Sequence, residues 1–531
     1  MTRRHFIMAA LAVVASLAAA LLAYGRRSEA PEVRDYAAVE RAPRMRPDYS
    51  DTVFPPNISA PAFIVEEQGT AYLVKVRGNR GDEIEVFSRE PGIALPLGAW
   101  RKLLNENRGG ALEFDVCVQD AGGSWRRFRP VRNAVAEEEI DAYIVYRQIN
   151  VVYNFYHRMQ IRQRCLEDYA DSVILDNGAF GNGCVNCHTF LKSGTDHMLI
   201  QMRSGRKSYG AGMLLIVDDK LSMVDTRTEI NPGFAAFSSW HPSGRAVAFS
   251  INRVRQFFHT TRVEGREGID LRSDLALYLL DSEEVTSTKA IARPDRLESW
   301  PAWSADGRQL YFSSSSTPWE DVDEVPPAHY DQAICDLMRI GYDIDTGTWG
   351  EVEPVLLARD TGMSITQPRP SPDGRSMIVC MSQHSSFPAL QPDADLYMVD
   401  LVTGSYERLP CNSDRSESWH SWSRDGRWFV FSSKAEDGLF LRPYFCYVDR
   451  DGMVHKPFLL PQEDPEFYES NIKLYQLPEL VSGPVPLKGE QIAGRLRSAE
   501  WAGVGLPVTA ATPAATQPGP TPGAEPWQPI P

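Results

Sequence analysis

No G-x-S-x-G, H-E-x-x-H or G-x-x-x-x-G-K-[ST] string occurs in these 531 residues. Their absence excludes the strand–turn–helix nucleophile of an α/β-hydrolase, a zincin helix and a phosphate-cradling loop. Positive charge is also short: 55 Lys and Arg stand against 70 Asp and Glu, for a net charge of −15. A chain so acidic does not present the basic surface that nucleic-acid phosphates require, so no nucleic-acid partner is expected. Cysteine is scarce, at eight residues, and one C-x-x-C pair has no second pair to complete a two-knuckle zinc site. The βαβ context of a thioredoxin-like dithiol is missing as well. No catalytic residue is assigned on these grounds. Long apolar runs are absent but for Phe6 to Tyr24 near the start, preceded by Arg3 and Arg4. That run reads as a secretory signal peptide or a single inner-membrane anchor spanning residues 6–24, with the rest of the chain exported to the periplasmic side.

What is present is led by Cys184-Val185-Asn186-Cys187-His188, the C-x-x-C-H attachment string of a c-type haem. Two thiols three positions apart each form a thioether to a haem vinyl group, and the next imidazole ligates the iron. One covalent haem c is expected, on Cys184 and Cys187, with His188 as the proximal iron ligand. For the distal position the neighbours downstream are Met198 and, as the alternative, His197. If this stretch is a strand, Met198, Ile200 and Met202 share one face and His197 shares the other with Leu199. A Met ligand would raise the reduction potential. Export suits this reading, because c-type haem is attached outside the cytoplasm. The other six cysteines are widely scattered and read as buried thiols with at most one bridge.

The fold class is mainly β. After a signal or anchor segment at 1–28, residues 29–59 read as a linker. Residues 60–147 alternate apolar and polar positions in short runs, as in Ala71–Val76, Glu83–Phe87 and Leu112–Val118, and read as a small β-sandwich. From Asn150 to Tyr169 the spacing of Val152, Phe155, Tyr156, Met159 and Leu166 predicts a helix, which opens a haem segment at 148–207. Arg158, Arg162 and Arg164 on it either pair with haem propionates or form a solvated face. The acidic loop Glu320, Asp321, Asp323 and Glu324 reads as solvated.

Residues 208–482 carry an internal repeat. Its four copies are Ser239–Ser250, Ala302–Ser313, Arg369–Cys380 and Ser421–Ser432, each a strand, an Asp-Gly or Ser-Gly turn, and an alternating strand. Each is followed by another strand ending in Asp, at Asp281, Asp343, Asp400 and Asp449, while Met213 to Asp225 reads as a further partial blade. An all-β repeat of this size with Trp signatures predicts a β-propeller of about six blades. His241, His259, His384 and His420 fall in it and are given no catalytic role. Residues 483–531 form a C-terminal extension ending in a Pro-, Ala- and Thr-rich tail.

The W/P-S-x-D-G-R copies resemble the WD40-like repeats of TolB-type β-propellers. The whole arrangement resembles bacterial envelope proteins in which a C-x-x-C-H string lies between an N-terminal β domain and a TolB-like propeller. Ala142–Arg147, Asn186–Phe190, Ser416–Ser423 and Lys456–Gln462 carry that likeness. The resemblance implies a fold and an envelope location but no activity. Three functions stay open: electron transfer with an envelope redox partner, a propeller scaffold for a protein or glycan with a structural or sensory haem, and a haem-dependent periplasmic oxidoreductase.

Overall fold

The computed structural model describes residues 30–150, 158–203, 211–226, 235–261, 264–321, 323–487, 489–498 and 502–503. The run Phe6 to Tyr24, the residues Val152, Phe155 and Tyr156, and the tail after Gly503 lie outside them. No helix among the described residues is long and apolar enough to cross a membrane. The chain divides into two compact units, one comprising Met1–Phe54, Ala60–Ala136 and Pro461–Phe467, the other Pro55–Ser59, Glu137–Leu460 and Tyr468–Pro531.

In the first unit, Ala71–Gly78, Ile84–Ser88 and Ala111–Gln119 are neighbouring antiparallel strands of a seven-stranded sheet, with a separate three-stranded sheet beside them in the chain. The segment expected as a linker is folded. Tyr36–Val39 pairs in parallel with Trp125–Phe128, and Val53–Phe54 with Val131–Val135. Parallel partners so distant in sequence leave no local pattern, which is why composition read as linker. A helix at Leu97–Glu106, also unanticipated, buries Trp100, Leu103 and Leu104. Trp100 meets Phe54 edge-on at 5.4 Å.

The second unit contains a series of antiparallel sheets, labelled here I to VI by their first strands. These are Cys184–Phe190, Ala235–Trp240, Arg296–Trp303, Ser364–Pro370, Glu417–Trp422 and Lys473–Val481. Sheets II to V are each four consecutive strands in order, and sheet I is four such strands plus the short Ala502–Gly503. Sheet VI is assembled differently. Its first strand comes from the C-terminal side, and the other three are Tyr143–Asn150, Gln160–Cys165 and Asp171–Asp176. Each first strand packs against the next, and Lys473–Val481 packs against Cys184–Phe190, so the six first strands follow one another in a closed circuit. This is a propeller-like fold.

The repeat has a local cause. In Ser304-Ala305-Asp306-Gly307-Arg308, the Ser304 hydroxyl donates to Asp306 at 2.6 Å, and the same carboxylate accepts the Arg308 N–H at 3.1 Å. Ser371–Asp373 and Ser423–Asp425 repeat the first bond at 2.6 Å. The glycine that follows sits in the left-handed region, at φ +75° for Gly307 and +71° for Gly374, where a side chain is disfavoured.

Two expectations are corrected. Gln160–Cys165 is a strand of sheet VI, paired on both sides, rather than part of a helix. Hydrogen bonds to two neighbours and burial of Ile161 outweigh the helical spacing of the flanking apolar residues. The haem segment is likewise not a separate piece: Tyr143–Asn150, Gln160–Cys165 and Asp171–Asp176 belong to sheet VI, and Cys184–Phe190 and His197–Arg203 open sheet I.

Candidate functional site

Cys184–Phe190 pairs with His197–Arg203, and the register slips once. Val185 faces Met202 and His188 faces Ile200, so Asn186 and Cys187 together oppose Gln201 in a β-bulge. The same slip recurs in every first strand. It falls at Ala236-Phe237, Trp300-Pro301, Gln367-Pro368, Trp419-His420 and Leu477-Pro478. In four of these the leading residue has positive φ: 56° at Trp300, 53° at Gln367, 56° at Trp419 and 52° at Leu477. The C-x-x-C-H string therefore occupies the bulge position of its own sheet. The six bulges converge on a cavity of about 30 Å³ lined by Cys187, His188, Trp300, Gln367, Trp419 and His420, among others. That is room for roughly two waters.

The motif residues are all buried, with Cys187 at 4% exposure and His188 at 2%. Both cysteines are free thiols. Cys184 packs in the apolar cluster that holds Met198 and Met202. Cys187 packs with Phe237, Trp300 and Leu477, with Phe387 and Trp419 against them. Phe237 and Trp300 stack at 3.4 Å, and Trp300 meets Trp419 at 5.4 Å. Burial pushes the Cys187 thiol up to about 11 and raises Cys184 as well, partly opposed by the charges of Arg147 and Arg203. In the folded chain both are thus poor nucleophiles.

Burial holds the His188 imidazole down at about 3, a neutral ring. The backbones of Val145 and Leu477 face that ring and partly oppose the shift, but among the described residues neither ring nitrogen has a partner at full hydrogen-bond geometry. An imidazole buried with both nitrogens unsatisfied costs a few kcal/mol relative to a paired one, on the order of 1–3 per group.

The second anomaly is Arg147, which the sequence reading passed over. Its guanidinium is buried, its charge reaches both cysteines, and its hydrogen-bond partner is the neutral amide of Gln476. Its Nε has no partner. A buried cation without a carboxylate is costly, and its energy is recovered when an anionic group arrives. An arginine directly after the apolar run Tyr143-Ile144-Val145-Tyr146 was the signal. By contrast, Arg162 is paired with Asp171, and Arg164 lies over the Tyr169 ring at 5.7 Å.

Met198 and His197 lie where the alternation places them, on opposite faces of one strand. Met198 faces Phe190 across the pair and is fully buried. His197 is turned to Asp196 at 3.1 Å, with its ring 5.6 Å from Trp240. Of the propeller histidines, His241 ties a turn, bonding Ser243 at 2.7 Å and the Gly307 carbonyl at 3.0 Å. His420 bonds the Ile378 carbonyl at 2.9 Å and lines the small cavity.

The donor set fits a covalent haem c in kind: two free thiols at C-x-x-C-H spacing, an adjacent imidazole with no full-geometry hydrogen bond among the described residues, and a buried arginine suited to a propionate. The space is occupied by Phe237, Trp300 and Trp419, so a macrocycle beside Cys187 requires these rings to part. A larger cavity, about 400 Å³, is lined by Trp240, Trp303, Trp422, Lys192 and Arg424, and shares Arg369 and Glu479 with the smaller one.

No protein-family model matches this sequence, and no curated protein matches it. Solved structures that align include a nidogen/laminin complex, at 6% identity and TM-score 0.38, covering 64% of this chain and 99% of that one. Another is a prolyl endopeptidase at 13% identity and TM-score 0.33, where the match covers 60% of this chain but only 40% of the peptidase. A third is oligogalacturonate lyase from Vibrio parahaemolyticus, at 12% identity and TM-score 0.31, covering 73% of this chain and all of the lyase.

Proposed function

We propose that this chain is an exported six-bladed β-propeller protein, with an N-terminal β-sandwich, that carries one covalent haem c and transfers electrons in the cell envelope. Cys184 and Cys187 would hold the haem, and His188 would ligate its iron. The observation that carries this reading is the buried His188 ring, with no full-geometry hydrogen bond to either nitrogen among the described residues, directly following two free thiols at the attachment spacing. When bound, the haem supplies one-electron exchange. The chain's own part is to exclude water with Phe237, Trp300 and Trp419 and to neutralise an acidic haem substituent with Arg147.

Six blades are supported by the six bulged first strands, each packed on the next. For the distal ligand, Met198 is favoured because it shares the buried face of His188 and Phe190, whereas His197 is engaged by Asp196. Replacing Met198 with Ala in the haem-loaded chain should change the spectrum or lower the reduction potential while leaving attachment intact. An unchanged spectrum and potential would remove Met198 from the ligand set. The partner would be an envelope redox protein, and the segment at residues 6–24 would tether the chain to the inner membrane unless it is cleaved.

The 400 Å³ cavity favours a second reading, in which the propeller binds a protein or glycan and the haem is structural or sensory. Its tryptophans and cations suit an acidic or aromatic-stacking ligand.

A further inference from the structure

The geometry points to a second site, independent of the haem reading: a divalent transition-metal site formed by His259, Glu267 and His384. It arises from an irregularity in sheet II. The central strands Ala246–Phe258 and Arg266–Leu279 are 13 and 14 residues long, where their counterparts in sheet V have 6 each. The added length forms an arm that buries Phe257, Ile269 and Leu271 against Leu297, Trp319 and Ala333. Near its end the Lys434 ammonium, itself buried, donates to Glu264 at 2.8 Å and to the Ala389 carbonyl at 3.1 Å. The arm is thereby fixed to the loop that carries His384 and Gln391.

Glu267, on the second strand of this arm, has no exposed surface. Its Oε1 accepts from Gln391 Nε2 at 2.6 Å and from the Gly268 N–H at 3.2 Å. Its Oε2 is turned the other way, 3.6 Å from His259 Nε2 and 3.7 Å from His384 Nε2. Both of those imidazole nitrogens are shielded from water and have no hydrogen bond among the described residues. The Tyr330 ring packs beside both, 6.4 Å from the His259 ring and 6.0 Å from that of His384.

Two orphaned ring nitrogens facing one carboxylate oxygen, whose sister oxygen is tied back by an amide, make up the ligand and outer-shell pattern of a two-histidine, one-carboxylate site. Nitrogen and oxygen donors of this kind suit zinc and its first-row neighbours. Separations of 3.6–3.7 Å are near the ~3.4 Å between ligand atoms around a tetrahedral ion with bonds of about 2.0–2.1 Å. The two imidazole nitrogens stand more than 4.8 Å apart, so metal binding must draw the rings together. His259 and His384 lie in loops and keep some exposure, which allows that pivot. Three protein ligands leave a position open for water or a small anion.

Chelator-treated full-length chain titrated with zinc chloride against a chromophoric competitor tests this site. One zinc per chain is expected, together with a rise in Tm on zinc addition. His259→Ala and His384→Ala should each weaken zinc binding by well over tenfold, and Gln391→Ala by about tenfold or more. His197→Ala, which disrupts the exposed Asp196–His197–Asp218 group, should leave the affinity unchanged. The C184A/C187A double variant should still bind zinc, which keeps this result separate from the fate of the haem. No zinc uptake by the folded, stripped wild-type chain would overturn the site. So would equal affinity in a folded H259A/H384A double variant.

Discussion

His188 and Arg147 are each out of place by ordinary rules of burial, and the direction of the anomaly is informative. A core imidazole with no full-geometry hydrogen bond, and a core guanidinium whose partner among the described residues is the Gln476 amide, both lower the stability of a chain that binds nothing there. Replacing His188 by Leu in the haem-free chain should therefore cost little or even stabilise, within about 2 kcal/mol of neutral. In the haem-loaded chain the same change should remove the proximal ligand and alter the spectrum. Denaturant melts of both forms check this. A loss of stability in the haem-free chain as large as that of a core truncation would mean the ring is satisfied after all.

Buried carboxyls give a second expectation at this scale. Burial pushes Glu298 up to about 8 and Glu417 to about 7. The folded chain then keeps protons that the unfolded chain, with an ordinary carboxyl, has released by pH 5. Stability is thus greatest at the acid side of that window and falls as pH rises towards 7–8, by at most ~1.4 kcal/mol per pH unit for each group. Thermal melts between pH 5 and 8 should show a declining Tm, and E298Q and E417Q should each flatten the slope. A flat profile in the wild-type chain would contradict the assignment.

Among the elements, the turns were the most legible in the sequence and the bulges the least. A Ser-x-Asp-Gly-Arg turn is closed by its own side chains, so three of the four copies announce themselves without tertiary information. Gly307 and Gly374 share the turn geometry but not the surroundings. A Cβ on Gly307 would lie 2.5 Å from His241 Nε2, whereas one on Gly374 would meet only the Ala305 methyl at 3.7 Å. Gly374→Ala should cost ~1–2 kcal/mol for the left-handed backbone, and Gly307→Ala measurably more, as read from urea melts. Equal costs would show that His241 yields freely. The bulge, in contrast, is a pairing irregularity with varied residues, from Asn186-Cys187 to Leu477-Pro478, and only the strand partners reveal it. The C-x-x-C-H string carries its own chemical signature rather than the repeat's, so residues 148–207 read as a helix-led haem segment, not as containing the first strand of a blade-like sheet.

For the whole molecule, the repeat made a propeller legible, but closure was hidden. Sheet VI joins Tyr143–Asn150 to Lys473–Val481, partners more than three hundred residues apart, and no local signal marks such pairing. Closure also bears on chemistry. Cys184 and Cys187 are buried with raised thiol pKa values once the circuit is complete, so the proposed haem attachment would belong to the chain before it folds shut. The most direct test of the account is covalent haem itself. The chain is to be expressed with export and a haem-attachment system, then run on a haem-stained denaturing gel with a pyridine haemochrome assay. The account predicts one haem per chain, retained through denaturation and lost in C184A/C187A. A folded, exported chain that carries no covalent haem would contradict it.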